Sequence, residues 1–235
     1  MNELIEKASK LKKSAKQMGM LSAEEKNHAL LIMADHLLNK KEWLIAENAK
    51  DIEAGKANGL SGSLLDRLLL TEERIEQIVD GVRQLINLED PIGETIEAWA
   101  RPNGLQIETI RVPLGVIGMV YEARPNVTVD AGSLCLKAGN AVLLRGSSTA
   151  INSNKALVAV MRGALAETAV PVEAVQLLED TSRETASEMF KLNQYLDVLI
   201  PRGGAGLIQS VIQNATVPVL ETGVGNCHVF IDETA

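Results

Sequence analysis

The chain has 235 residues, of which 46% are hydrophobic and 3% aromatic, and its formal net charge is −8. A hydrophobic fraction of this size supports a large core and argues against disorder. The acidic balance and the scarcity of aromatic side chains argue against a nucleic-acid surface, and no apolar run approaches the roughly 20 residues needed to span a bilayer. These features predict a soluble, cytoplasmic protein with neither nucleic acid nor a membrane as its partner.

Residues 2 to about 90 have the spacing of amphipathic helices. Ser22 and Glu25 form a capping-box pattern at the start of one helix. Gly59 is placed to end the next helix, and Thr71 can cap the one after it. Because apolar stripes at helical spacing usually form packing faces, we predict that this segment contributes core. His28 and His36 lie on these helices with no second ligand at metal spacing, so we predict no metal site there.

Residues 94–111 alternate between polar and apolar side chains around the turn Arg101-Pro-Asn-Gly104. An Asn-Gly pair between alternating segments is a strong signal of a β-hairpin. A hairpin alone is marginally stable, and the α/β alternation begins only after it. We therefore predict that residues 94–112 form a protruding arm that assembles the protein into a homo-oligomer. The alternative is a hairpin folded back on its own helices.

A compact strand–helix–strand unit comes next. Residues 116–121 form an apolar run rich in β-branched side chains, and residues 141–144 form a second apolar run. Residues 126–138 have the pattern of a helix, with Asn126 able to cap its first turn and Gly139 placed to end it. This order predicts two parallel strands joined by a helix.

The alternation of helices and strands continues to residue 220. It predicts an α/β fold, a doubly wound parallel sheet with helices on both faces. Because ligands of such sheets bind at the carboxyl ends of the strands, the polar loops 122–126 and 145–149 are predicted to face one crevice. The later predicted elements are helix 152–167, strand 175–178, helix 183–191, strand 195–200, a helix ending near 214 and strand 217–220.

Two predicted strand ends carry an arginine. Pro201-Arg-Gly-Gly-Ala-Gly206 leads from a strand into a helix, where glycines allow close backbone approach and the helix N-terminus favours an anion. The turn lacks the third glycine of a dinucleotide fingerprint, so a tight turn without a ligand is an equal alternative. Arg145-Gly-Ser-Ser148 lies at the same predicted edge, and its guanidinium has the forked donors that suit phosphate.

Three other residues are candidates for chemistry. Cys135 lies in an apolar helix and is interpreted as core packing. Cys227 follows a glycine-rich turn and is interpreted as structural, with a role near an active site as the less favoured alternative. The adjacent His228 would point to the opposite face of a strand, so the two cannot easily form a nucleophile and its base. Glu221 stands at a strand end, where it is either a general base or a solvated acid.

Three segments carry a resemblance to a known family: VPLGVIGMVYEARPNVTVDAGSLCLKAGNAVLLRG, DVLIPRGGAGL and ANGLSGSLLDRLLLT. They closely resemble the gamma-glutamyl phosphate reductases, also called glutamate-5-semialdehyde dehydrogenases, a branch of the aldehyde dehydrogenase superfamily. The resemblance implies an aldehyde dehydrogenase-like cofactor domain. It also implies the NADPH-dependent reduction of a small molecule, L-glutamyl 5-phosphate, to L-glutamate 5-semialdehyde with release of phosphate, in L-proline biosynthesis.

The resemblance assigns a cofactor site for NADP(H). Arg145 stands where relatives have a lysine that contacts the adenosine ribose, and the serines after it leave room for a 2′-phosphate. The turn at Arg202 resembles the one that approaches the pyrophosphate. The implied cofactor-binding residues are Arg145, Gly146, Ser147, Ser148, Arg202, Gly203 and Gly204.

Catalytic and substrate-binding roles are implied for three residues. Asn126 resembles the asparagine whose side-chain amide donates to the oxyanion, and Arg124 in the same loop is expected to bind the substrate. Glu221 resembles the glutamate of a general-base motif, although a reductase that expels phosphate need not activate water.

One motif of the family does not occur in the sequence. The nucleophilic cysteine of the family lies in a Lys-Thr-Gln-Arg-Pro-Ser-x-Cys-Asn segment, which the resemblance places shortly after residue 235. We therefore expect an N-terminal part that is inactive alone, or else a non-catalytic nucleotide-binding or self-associating module, or another acyl-phosphate or aldehyde dehydrogenase. The expected division is N-terminal helices 1–93, arm 94–112, dinucleotide-binding domain 113–225, and 226–235 as the start of a largely missing catalytic domain.

Overall fold

The computed structural model describes residues 2–221 and 228–234. It begins with closely spaced helices, as the periodicity of the apolar residues predicts. None of the helices in these ranges is both long and apolar enough to cross a membrane. The N-terminal helices are α1 (Glu3–Met18), α2 (Ala23–Asn39), α3 (Lys41–Ala57), α4 (Gly62–Leu68) and α5 (Glu72–Asn87).

The ends of these helices follow the local sequence. At the start of α2 the Ser22 hydroxyl accepts from the Glu25 N–H, and the Glu25 carboxylate accepts from the Ser22 N–H, which confirms the capping box. The Thr71 hydroxyl accepts from the Arg74 N–H at the start of α5. Gly59 follows α3 with φ of 72°, a left-handed conformation that glycine adopts without a steric penalty.

The predicted hairpin is present and is exposed on both faces. Strands β1 (Thr95–Ala100) and β2 (Gln106–Ile110) pair antiparallel across a turn in which Gly104 has φ of 87°. Every residue of β1 is exposed, and so is every residue of β2 except the half-buried Ile107. Within the described residues, the hairpin therefore has little cover on its apolar side chains.

The remaining elements build a parallel sheet in the order β5-β4-β3-β6, which confirms the α/β fold. Helix α6 connects β3 to β4 and α7 connects β4 to β5, so these two crossovers move along the sheet in one direction. Helix α8 connects β5 to β6, which lies on the other side of β3. Right-handed crossovers place α8 on the opposite face, so the sheet is doubly wound. The elements are β3 (Val116–Tyr121), α6 (Asn126–Lys137), β4 (Ala141–Arg145), α7 (Ile151–Leu165), β5 (Val175–Leu177), α8 (Arg183–Met189), β6 (Val198–Arg202) and α9 (Ala205–Asn214).

Two helical layers cover the sheet. On one face α6 and α7 contact each other, and α2, α3 and α5 pack against them from outside. On the other face α1 joins α8 and the start of β6, through a hydrogen bond of 2.9 Å from Asn2 Nδ2 to Glu188 and an ion pair of 2.8 Å between Lys12 and Asp197. One hydrophobic core runs from the N-terminal helices through the sheet.

Two predicted strands differ from the structure. The strand predicted at 195–200 begins only at Val198, because the Tyr195 and Leu196 N–H groups both donate to Leu192 O in a turn. The strand predicted at 217–220 is reduced to one parallel bridge between Val219 and Leu199. Short apolar runs do not by themselves distinguish a strand from a turn that closes onto the core.

The cap predicted at Asn126 is also wrong, whereas the helix end predicted at Gly139 is confirmed. Asn126 is the first helical residue, and Pro125 occupies the N-cap position without a side-chain cap. Turn carbonyls bind the first amides instead, with Val127 N–H donating to Arg124 O and Thr128 N–H to Pro125 O. The Asn126 side chain is therefore free to make a contact of another kind.

Candidate functional site

A cleft of about 530 Å³ opens at the carboxyl ends of β3 and β4. The prediction that loops 122–126 and 145–149 face one crevice is confirmed, because both contribute to its wall. The cleft lies beside the place where the strand order reverses, with β4 on one side of β3 and β6 on the other, which is where ligands of doubly wound sheets bind. Its lining residues include Leu60, Leu64, Arg67, Tyr121, Glu122, Arg124, Arg145, Ser147, Ser148, Thr149, Arg183 and Leu207.

The charged side chains of this cleft are mostly cationic. Among the described residues, four arginines and one carboxylate, that of Glu122, line it. A concave surface with an excess of one charge attracts ligands of the opposite charge. The cleft therefore suits an anionic ligand, although the whole chain is acidic.

Arg145, the last residue of β4, is half-buried, and some but not all of its N–H donors have hydrogen-bond partners. Its Nη2 donates to Thr181 O at 2.8 Å and to Ser182 O at 3.3 Å. Its Nε is buried and has no hydrogen-bond partner within the described part of the chain. Burial lowers the pKa of Arg145, an effect that the nearby Asp180 carboxylate opposes. Asp180 lies in the loop between β5 and α8. Arg145 therefore has a carboxylate neighbour, although residues 146–149, which follow it in the sequence, include no acidic side chain.

The floor of the cleft is a buried polar network that ties β3, α6 and α7 together. The Tyr121 hydroxyl bonds Thr128 Oγ1 at 2.8 Å, and Thr128 Oγ1 donates to Asn154 Oδ1 at 2.9 Å. Burial raises the pKa of Tyr121, so this phenol stays neutral. A Cβ on Gly146 would lie 2.3 Å from Asn154 Nδ2 and 3.0 Å from the Tyr121 ring, so only glycine fits there.

The glycine turn after β6 already holds a carboxylate. Gly204 N–H donates to Glu122 Oε1 at 2.8 Å, and a Cβ on Gly203 would meet the Glu122 carboxyl carbon at 2.7 Å. Arg202, Gly203 and Gly204 are exposed, so the turn is open to solvent on its other side. The start of α9 thus binds a carboxylate that belongs to the chain itself. A pyrophosphate that binds the Gly204 N–H would have to displace Glu122, whereas the exposed side of the turn is open.

A second pocket of about 370 Å³ lies between α4, α5 and the turn after β3. Arg67 and Arg124 line both this pocket and the cleft, so the two spaces adjoin. The sequence motifs gave no indication of Arg67, although the segment that contains it was part of the family resemblance. The pocket is lined by Asp66, Arg67, Leu69, Leu70, Arg74, Gln77, Ile78, Arg124, Pro125 and Asn126.

Asn126 is oriented in this second pocket by a carboxylate one helical turn away. Its Nδ2 donates to Asp130 Oδ2 at 3.0 Å. Burial raises the pKa of Asp130, while the bond from Asn126 acts in the opposite direction. Because an amide nitrogen carries two hydrogens, one N–H remains for a ligand. Asp130 therefore fixes which end of the amide carries the donors.

A buried asparagine fixes the α4–α5 connection, which carries the pocket wall. Asn48 is 1% exposed, and its Nδ2 donates to Leu68 O at 2.8 Å and to Ser153 Oγ at 2.9 Å. Its Oδ1 accepts from Leu70 N–H at 2.8 Å. Fully satisfied buried polar groups of this kind rigidify the segment that they join.

The other sequence candidates lie away from the two pockets. Cys135 is 5% exposed, and burial raises the pKa of its thiol to about 12, which confirms a packing role. Glu221 is exposed and lines neither pocket. Cys227 lies outside the described residues.

Comparison with known proteins identifies the relatives of this chain. No family model matches it. Gamma-glutamyl phosphate reductase of Geobacillus sp. strain WCH70 is 71% identical over 235 residues, which are 100% of this chain and 57% of that protein. The chain is related to the gamma-glutamyl phosphate reductases. The resemblance seen in the sequence motifs is thereby confirmed along the whole chain, which spans little more than half the length of such relatives.

Solved structures agree with this relationship. The crystal structure of gamma-glutamyl phosphate reductase from Thermotoga maritima is 47% identical, with a TM-score of 0.95 over 99% of this chain and 56% of that one. A probable aldehyde dehydrogenase from Listeria monocytogenes is 14% identical, with a TM-score of 0.72 over 94% of this chain and 46% of that one. At that identity the likeness concerns the fold alone, and it confirms the aldehyde dehydrogenase-like architecture.

Proposed function

We propose that the chain forms the cofactor-binding part of a reductase that converts L-glutamyl 5-phosphate to L-glutamate 5-semialdehyde and phosphate with NADPH, in proline biosynthesis. The observation that carries the proposal is the similarity of the whole chain to gamma-glutamyl phosphate reductases. The cationic cleft at the switch point of the sheet supports it, because a dinucleotide and an acyl phosphate are both anions.

A chimera tests this proposal directly. The matching residues of the Geobacillus relative are replaced by this chain, and reduction of NADP⁺ is followed with L-glutamate 5-semialdehyde and phosphate as substrates. We expect phosphate-dependent turnover. A chimera that folds and binds NADPH but does not turn over would show that the chain is a nucleotide-binding module.

The residues of the cleft fit NADPH. The free Nε of Arg145 is a buried donor that faces no partner within the described ranges, and Ser147 and Ser148 add no negative charge beside it. In this proposal the segment 145–148 holds the adenosine ribose with its 2′-phosphate, and Arg202 to Gly204 hold the pyrophosphate. NADPH supplies the hydride when it is bound.

Replacing Arg145 by alanine is expected to weaken NADPH about tenfold or more and to leave NADH almost unchanged. A charge-assisted hydrogen bond to the 2′-phosphate contributes about 1.5–3 kcal/mol, and NADH has no such phosphate. Calorimetric titration of both cofactors measures the difference. Arg101→Ala in the hairpin turn removes the same charge elsewhere and serves as the control. Equal losses for the two cofactors would show that Arg145 acts only through Thr181 and Ser182.

Roles are proposed for three more residues. Arg124 binds the substrate, and Asn126 donates its remaining N–H to the substrate carbonyl oxygen as that oxygen gains charge. Glu221, which lines neither pocket in the described chain, is the proposed general base. Its support is that the bridge between Val219 and Leu199 is parallel, which leaves Glu221 at the carboxyl edge of the sheet.

The hairpin is proposed to join subunits into a homo-oligomer. Its support is the exposure of Ile96 and Leu105, each 56%, and of Ile110, 48%, on strands that little else covers within the described chain. Replacing residues 95–109 by a short Gly-Ser bridge is expected to lower the mass measured by light scattering to that of a monomer, with the circular dichroism of the core unchanged. The double variant Ile96→Lys/Leu105→Lys keeps the hairpin and is expected to act in the same way. The proposal is contradicted if the oligomer persists in both variants, or if the unsubstituted chain is already a monomer.

A further inference from the structure

The cleft at the ends of β3 and β4, here called the cofactor cleft, adjoins the second pocket, here called the Asn126 pocket. Two arginines that no acidic side chain of the described chain neutralises lie where these two spaces meet. Arg67, near the end of α4, and Arg124, in the turn after β3, line both spaces. Neither guanidinium forms an ion pair or a hydrogen bond with any side chain in residues 2–221 and 228–234. They come from segments 57 residues apart in the chain, and only the packing of α4 against the turn brings them to one pocket.

The other charges of the pocket cancel. Arg74 Nη2 bonds Asp66 Oδ1 at 2.8 Å, and Arg74 Nη1 donates to Leu69 O at 3.0 Å. This ion pair holds the end of α4 to the start of α5. The net positive charge of the pocket therefore comes from Arg67 and Arg124, and it amounts to two guanidiniums.

The wall that carries Arg67 is held in place before any ligand arrives. Asn48 accepts from the Leu70 N–H and donates to the Leu68 carbonyl, so the backbone just after Arg67 is fixed from the buried side. A fixed backbone leaves only the side-chain torsions of Arg67 to be ordered, which lowers the entropic cost of binding. Arginine is also the side chain whose planar fork matches the oxygens of a phosphate group.

We propose that Arg67 and Arg124 together bind the phosphoryl group of the acyl phosphate substrate. This inference rests on the proposed function, and it identifies the residues that bind the phosphate leaving group of that reaction. The phosphoryl group is bonded through oxygen to the acyl carbon, so it must lie close to the oxyanion donor Asn126, which lines the same pocket. Two guanidiniums match the charge of a phosphate dianion, whereas the α-carboxylate of the substrate carries a single charge and is several bonds more distant.

A phosphate titration tests the pair in the chain itself. The chain is saturated with NADPH, so that the cofactor cleft is filled, and inorganic phosphate is added in a calorimeter. We expect saturable binding at one site. Arg67→Gln and Arg124→Gln are each expected to weaken phosphate about tenfold or more, since each removes charged hydrogen bonds. Arg101→Gln, the same change in the hairpin turn, is expected to leave the phosphate affinity unchanged.

The kinetics of the chimera separate a phosphate site from a structural role. In the direction of phosphate consumption, phosphate and the semialdehyde are separate substrates. Arg67→Gln and Arg124→Gln are expected to raise the KM for phosphate about tenfold or more, with little change in the KM for the semialdehyde. A rise in the KM for the semialdehyde alone would assign the pair to the α-carboxylate and overturn the proposal.

Failure of this inference and failure of the proposed function give different results. If NADPH does not bind, the proposed function fails, and the phosphate titration is repeated without cofactor on the Arg145→Ala variant, in which the cofactor cleft has lost its buried donor. Loss of phosphate binding on Arg67→Gln in that background still supports the pair. Absence of saturable phosphate binding, or an equal loss on Arg101→Gln, overturns the inference whatever the result with NADPH.

Discussion

Replacing Asn126 by alanine in the chimera lowers kcat by about 10²–10³-fold, because a single oxyanion donor contributes on that scale. The amide nitrogen already gives one hydrogen to Asp130 at 3.0 Å, so its second hydrogen has a fixed direction. A donor that is oriented before the reaction stabilises the developing charge without a cost of reorganisation. The expected loss is therefore in kcat more than in KM for the substrate.

The measurement is a set of initial rates over substrate concentration, with two comparison variants. Asn214→Ala, at the exposed end of α9, removes an amide whose one side-chain hydrogen bond within the described residues goes to Ser210 O. It is expected to leave kcat unchanged. Asp130→Ala keeps the Asn126 amide but removes the group that orients it, so its loss of kcat is expected to be smaller. A kcat for Asn126→Ala close to that of the unsubstituted chimera would remove Asn126 from the oxyanion site.

Replacing Asp51 by alanine lowers the free energy of unfolding by about 3 kcal/mol, through loss of a helix cap and exposure of unsatisfied buried donors. Asp51 lies on α3, is 2% exposed, and accepts four hydrogen bonds from the first turn of α7. The donors are the backbone N–H groups of Asn152 and Ser153, the Asn152 Nδ2 and the Ser153 hydroxyl. A carboxylate at this place also interacts favourably with the positive end of the α7 dipole.

Urea unfolding followed by circular dichroism checks this expectation. Asp51→Asn keeps the shape of the side chain but places its NH₂ group opposite the N–H and O–H donors of Asn152 and Ser153. It is therefore also expected to destabilise the protein. Asp80→Ala on α5 is the control, since the Asp80 side chain is 67% exposed and its contact with Arg83 is 4.0 Å long. Its effect is expected to stay within about 0.5 kcal/mol. Equal stability of the Asp51 and Asp80 variants would contradict the assigned role.

Asp51 and Asn48 also link stability to the site. Both lie on the buried face of α3, one turn apart, and both contact Ser153 of α7. Asn48 further holds the connection between α4 and α5 that carries the pocket wall. Loss of Asp51 is therefore expected to loosen the wall that presents Arg67 before the sheet itself unfolds.

The sequence by itself determined the parts that depend on neighbours within a few residues. The capping box of Ser22 and Glu25 and the left-handed glycines at 59 and 139 are made by local hydrogen bonds and local sterics. The parallel strands on either side of α6 followed from the alternation of apolar runs, and the place of the cleft followed from the shared direction of those strands. The same local reasoning was wrong at Asn126, where the carbonyls of the preceding turn bind the first amides of the helix.

Only the tertiary structure decided which distant groups meet at the site. The Glu122 carboxylate binds the glycine turn 82 residues further along, and Arg145 donates to a loop 36 residues away. Arg67 reaches the pocket of Asn126 because α4 is held on the turn after β3. These contacts depend on how helices pack across the sheet, since packing brings together side chains whose separation along the chain carries no periodic signal. The residues proposed to hold an anion at this site could therefore be named in part from the motifs, but their partners and their free hydrogen-bonding groups required the folded chain.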